Sequence, residues 1–142
     1  MLRGLTTANY FADDLDAAKT WYTEVLGLEP YFEVPGGYIE FRLGDYLHEF
    51  GIINSAYATH DVTTSPAGQI VFWAVDDIEA AYQRLQTLGA KPHEGPKDHG
   101  GHGYITASVI DPFGNILGVM ANPHYNDTLA KIKAGTHFTT GE

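Results

Sequence analysis

The chain has 142 residues, enough for a single domain that buries roughly 68–70% of its unfolded surface without staples. It contains no cysteine, which excludes a disulfide framework, a thiolate metal site and a thiol nucleophile. Eight Lys and Arg against eighteen Asp and Glu give a net charge of −10, so there is no basic stripe for nucleic acid, and no apolar run reaches the length of a membrane span.

Residues 4–12 read as a strand, and Met1-Leu2-Arg3 leads into it with no signal-peptide pattern. Asp13 is placed to cap a helix, with Asp16 three residues on. Leu15, Ala18, Tyr22, Val25 and Leu26 recur at helical spacing, and Gly27 stands where a left-handed cap is wanted. Three short strands follow near 29–34, 37–43 and 46–54, turned by Pro35-Gly36-Gly37 and Gly44-Asp45. Residues 55–67 form a polar linker.

The order then repeats. Residues 69–75 form a strand, with Val71, Trp73 and Val75 directed at the helices. Asp76 caps a second helix with Ile78, Ala81, Leu85 and Leu88 inside, closed by Gly89. Strands are expected near 91–95, 104–110 and 115–121, and a glycine- and histidine-rich loop covers Pro96 to Gly103. Asp111-Pro112-Phe113-Gly114-Asn115 is a turn. The tail holds one short helix, Asn126 to Ala134. The duplication is literal: Asp13-Asp14-Leu15-Asp16-Ala17-Ala18 recurs as Asp76-Asp77-Ile78-Glu79-Ala80-Ala81, an offset of 63. The organisation is one domain, 1–142, with a first module 4–54, linker 55–67, second module 68–121 and tail 122–142.

The repeat, the helix from Leu15 to Gly27 with its Trp21-Tyr22 and Leu26-Gly27, and the turn Asp111 to Asn115 resemble the vicinal oxygen chelate superfamily. That group includes glyoxalase I, bleomycin-resistance proteins and extradiol dioxygenases. The resemblance implies an α+β fold in which two βαβββ modules build an eight-stranded cup. It also implies a homodimer. Metal-using members carry His, Gln or Glu at matching points of the cup. Seven residues before Asp14 and Asp77 these points are Thr7 and Ile70, and three after Asn115 the point is Gly118. Matching Gly44-Asp45 to Gly114-Asn115 puts the fourth at His48. Thr, Ile and Gly make no metal site. The repeat turns His48 into the cup, whereas burial of Tyr46, Phe50 and Ile52 on the helix side would turn Glu49 there instead.

Other candidates are weaker. His99 and His102 lie in a mobile glycine-rich loop, with His93 upstream, and His60, His124 and His137 are expected at the surface. The Asp pairs serve as helix caps, and Asp111 serves its turn. The expectation is a cytoplasmic, glyoxalase/bleomycin-resistance-like binder of a small molecule, with no metal, no cofactor and neither nucleic acid nor membrane as partner. Thr7, Asn9, His48 or Glu49, Ile70, Phe72, Tyr104 and Gly118 are its expected ligand contacts. The alternative is a lyase, isomerase or dioxygenase with a relocated metal site built on His48 or Glu49 with His99 or His102. A metal-free enzyme using His48 or Glu49 as base is the other variant.

Overall fold

A computed structural model describes residues 2–135, so His137 lies outside the described residues. The chain runs β1 (Thr7–Ala12), α1 (Leu15–Leu26), β2 (Phe32–Val34), β3 (Tyr38–Leu43) and β4 (His48–Asn54). A 3-10 turn, Ser55–Tyr57, opens the linker. The second half is β5 (Ile70–Ala74), α2 (Ile78–Thr87), β6 (Lys91–Asp98), β7 (Ile105–Ile110) and β8 (Ile116–Ala121), and α3 (Pro123–Lys133) follows. Each module folds as one four-stranded sheet, ordered β1-β4-β3-β2 and β5-β8-β7-β6. In both, the first strand lies parallel to the last, as a βαβ crossover dictates. The architecture is α+β, two βαβββ modules in an open cup with no closed barrel.

The helix starts correct the expected caps by one residue. Asp14, not Asp13, caps α1 through its carboxylate and the Ala17 amide, 3.0 Å apart. Asp77, not Asp76, does the same for α2 with Ala80. A capping side chain must reach the third helical N–H, and only the second Asp of each pair stands at that distance. α3 begins at Pro123, three residues before the expected Asn126, because Asn122 accepts from the amides of His124 and Tyr125 and Pro fits the first helical position. β6 runs on to Asp98 through two irregularities of register, so part of the expected loop is strand.

Alternation along each strand sends one set of side chains to the helices and the other to the open face. Tyr10, Ala12, Ile39, Phe41, Phe50 and Ile52 of the first sheet are buried on the helix side with Ala18 and Tyr22 of α1. Ala107, Val109, Leu117 and Val119 do the same in the second sheet with Ile78 and Leu85 of α2. The two sets join in one core. The Phe50 ring meets Trp73 edge-on at 5.0 Å, the Trp21 indole donates to the Leu88 carbonyl at 2.8 Å, and Arg84 caps the carbonyls of Glu24 and Val25.

The Asp111 turn is the main polar joint. Its carboxylate accepts from the Tyr22 hydroxyl at 2.5 Å and from the Phe113 and Asn115 amides and the Asn115 side chain at 2.8–2.9 Å. Asn115 also donates to the Phe11 carbonyl. The turn of one module thereby holds the helix and first strand of the other. The reading of Asp111 as a turn residue stands, and its hold on Tyr22 is an addition. At the other end of β8, α3 reaches back to the β3–β4 turn. The Tyr125 hydroxyl donates to Asp45 at 3.0 Å, and burial with that contact pushes its pKa up to about 12.

Among the described residues two buried side-chain groups have no hydrogen-bond partner, the Thr23 hydroxyl and the Trp73 indole N–H. An unpaired buried N–H is a standing cost of about 1–3 kcal/mol. Trp73→Phe removes that cost together with some packing. The expected change in unfolding free energy is therefore small, within about 1 kcal/mol, well short of the usual loss for a truncated core aromatic. Urea denaturation of both proteins checks it.

Candidate functional site

The open face of the first sheet is polar, and its residues alternate with the core. Tyr38, Glu40 and Arg42 of β3 lie opposite Ile53, Gly51 and Glu49 of β4, and Thr7 and Asn9 of β1 lie beside Glu49 and Gly51. Phe50 and Ile52 point to the helices, so Glu49 points to the open face. This settles the register and corrects the repeat-based placement of His48. His48 starts β4 on the opposite side, exposed and stacked on Tyr46 at 5.4 Å.

Glu49 is held at both oxygens. The Thr7 hydroxyl donates to Oε2 at 2.9 Å and Arg42 donates to Oε1 at 2.5 Å. The Arg42 guanidinium also lies 4.8 Å over the Tyr31 ring and donates to its hydroxyl. Both Tyr31 and Tyr38 donate to Glu40. Burial, then the Glu40 contact, holds the Tyr38 phenol well above its ordinary range, so it keeps its proton and remains a donor. The result is a continuous wall of two carboxylates, one guanidinium and three hydroxyls.

Two glycines shape this surface. A side chain at Gly51 would fall 2.3 Å from both the Asn9 carboxamide oxygen and the Tyr38 hydroxyl. One at Gly118 would fall 2.4 Å from the Phe72 ring. Thr7 pairs with Glu49 and Asn9 with Gly51 in the first sheet, while Ile70 pairs with Ile116 and Phe72 with Gly118 in the second. The counterpart of Gly118 is therefore Gly51, not His48. Matching the turns missed it because the two β3–β4-type turns differ in length, and strand register does not depend on turn length. In both sheets the residue two after the first point leans over a glycine.

The second sheet's open face is apolar at β5, where Ile70 and Phe72 are 41% and 43% exposed, and polar at β6–β7. There His93 meets Ser108 at 2.9 Å and His99 meets Thr106 at 2.7 Å. His99 and His102 approach neither Glu49 nor each other in any three-donor cluster among the described residues. Tyr104 lies beside His124 at the start of α3, 5.9 Å between rings. Among the described residues no hydrogen bond or ring contact joins it to Thr7, Asn9 or Glu49. The arrangement thus brings together Thr7, Asn9 and Glu49, and separately Phe72 and Gly118.

A cavity of about 500 Å³ opens where the linker crosses the seam between modules. Asn9 and Phe11 of β1, Ile116 of β8, and His60, Asp61 and Gln69 line it. The Phe11 ring meets His60 edge-on at 5.2 Å, and Gln69 donates to the Asn9 carbonyl. The sequence reading missed Tyr31, Glu40, Arg42 and this linker wall. The alternation Tyr38-Ile39-Glu40-Phe41-Arg42-Leu43 carried the signal for β3; nothing in the linker's composition carried it for His60 and Asp61.

The sequence pattern of the Glyoxalase/Bleomycin resistance protein/Dioxygenase superfamily matches residues 4–119. The chain belongs to this superfamily. Solved structures of similar fold include lactoylglutathione lyase from Agrobacterium tumefaciens, 24% identical, TM-score 0.64, covering 82% of this chain and 92% of that one. A glyoxalase-related enzyme from Fulvimarina pelagi is 22% identical, TM-score 0.67, covering 86% and 90%. A glyoxalase / bleomycin resistance protein from Catenulispora acidiphila DSM 44928 is 20% identical, TM-score 0.59, covering 84% and 100%. At these identities the likeness establishes the shared fold of the superfamily. No curated protein sequence matches the chain.

Proposed function

We propose that this superfamily member binds a small molecule on its open faces and does so without the ion that metal-using relatives hold. The observation that carries the reading is the wall around Glu49: a carboxylate fixed by Thr7 and Arg42, beside Tyr38 and Glu40, with the Asn9 and Tyr38 side chains packed over Gly51. Fixed polar groups on one sheet and exposed apolar surface on the other, here Ile70 and Phe72, supply the chemistry of a small-molecule site. By strand register the four family points are Thr7, Gly51, Ile70 and Gly118. One hydroxyl among four positions does not fit a divalent ion, which requires several imidazole, carboxylate or comparable donors.

A homodimer belongs to this reading, supported by the exposed Phe32 and Val34 on the edge strand, apolar surface that a second copy would cover. So does a cytoplasmic setting, which suits a chain without cysteine. Among the described residues no helix is long and apolar enough to cross a membrane.

Elemental analysis of purified, tag-free protein together with a ligand screen tests the proposal. The expected result is no stoichiometric transition metal, and a bound compound whose affinity falls about tenfold in Glu49→Ala. The Arg42–Glu49 pair is open to solvent, and water screens such pairs strongly, so the melting temperature should barely move. One Zn, Ni, Fe or Mn per chain, lost on changing Glu49, would overturn the reading.

A further inference from the structure

The linker does more than connect the modules. It crosses the seam as a strap, and the DPFGN turn fixes it there. A side chain at Gly114 would fall 2.1 Å from the Thr64 carbonyl oxygen, so the strap backbone rests directly on the turn. Gly114 has φ +93, a conformation that glycine adopts freely. The Thr63 hydroxyl accepts from the Ser65 amide and stiffens the bend. Beneath the strap lies the 500 Å³ cavity, within the size range of ligand sites.

We infer that this strap cavity is a recognition subsite for a planar, cationic group, an aromatic amine or amidinium, with Asp61 as its counter-charge. Several independent features agree. Among the residues lining the cavity there is no lysine or arginine. Asp61 has no hydrogen bond or ion pair to another described residue, so its carboxylate is available. The Phe11 and His60 rings, nearly perpendicular at 86°, offer a face and an edge to a flat ring. The other polar side chains are partly engaged: Asn115 by Phe11 and Asp111, and Gln69 by Asn9. The His60 ring and the Thr63 and Ser65 hydroxyls can each donate or accept, so what sets the preference is charge: Asp61 is the one carboxylate of the lining. A cation with N–H donors finds its counter-charge there, whereas an anion meets a like charge.

The inference rests on the reading of the open face as a ligand site, which it extends through Asn9, shared by the cavity and the Tyr38 wall. Benzamidine, its neutral analogue benzamide and its anionic analogue benzoate test it by amide NMR titration of the labelled full chain. Benzamidine is expected to shift Phe11, Asp61 and Gln69, with benzamide weaker and benzoate silent. Asp61→Asn should weaken benzamidine about tenfold, the size expected on losing one charge-assisted contact. His60→Ala should weaken it less, and Asp127→Asn, on α3, should leave it unchanged. Benzoate binding as tightly as benzamidine, no benzamidine shifts at the strap, or affinity unaltered by Asp61→Asn would each overturn the subsite. If benzamidine binding is lost in Glu49→Gln but kept in Asp61→Asn, the strap site falls and the small-molecule reading stands. If a screened ligand ignores Glu49 while benzamidine still depends on Asp61, the wall reading falls and the strap site stands.

Discussion

Asp111→Ala should lower unfolding stability by about 3–5 kcal/mol, the range seen when one partner of a buried charged network is removed. Asp111 is 3% exposed, and its loss strands the Tyr22 hydroxyl, two turn amides and the Asn115 side chain together. Two of these groups belong to different modules, so the damage spreads across the junction. The carboxyl also carries a pH signature. Burial raises its pKa from the ordinary 3.8, against the pull of its hydrogen bonds. A folded-state value above the unfolded one means the native protein holds the proton longer. This contribution is therefore full below the unfolded pKa and is lost as pH rises through the folded pKa. Asp111→Asn, which keeps the shape, should lose that acid-range slope. Denaturant melts of the three proteins across the acid range read both effects. A cost for Asp111→Ala under about 1 kcal/mol would show that the turn does not hold the modules together.

Phe50→Ala should cost about 3–5 kcal/mol as well, by a different route. Phe50 is 2% exposed, and its ring packs on Tyr10 at 5.4 Å, Tyr22 at 5.3 Å and Trp73 at 5.0 Å. The first two belong to its own module and the third to the other, so truncation opens a cavity on the line joining them. The chain neighbour Glu49 behaves oppositely, since its side chain points to the open face. Chemical denaturation and ligand titration of Phe50→Ala and Glu49→Ala should separate cleanly, the first losing stability and the second losing binding. Equal stability losses in both would mean that the face assignment of β4 is wrong.

The sequence by itself determined the frame. The duplicated helix starts, the glycine after Leu26 and the Asp111 turn are local signals, fixed by which side chain reaches which backbone N–H, and they predicted two βαβββ modules with errors of one to three residues at the ends. Strand alternation likewise placed Val71 and Trp73 on the helix side. The tertiary structure decided what local signals cannot carry. His48 and Glu49 are adjacent, and only pairing with Thr7 and burial of Phe50 select the face. Gly118 finds its true counterpart, Gly51, through strand register and not through turn position. The meeting of Arg42 with Glu49, and of the linker with Phe11, joins residues far apart in the chain. Such contacts follow from how sheets and straps pack, and pattern along a strand or loop leaves them open.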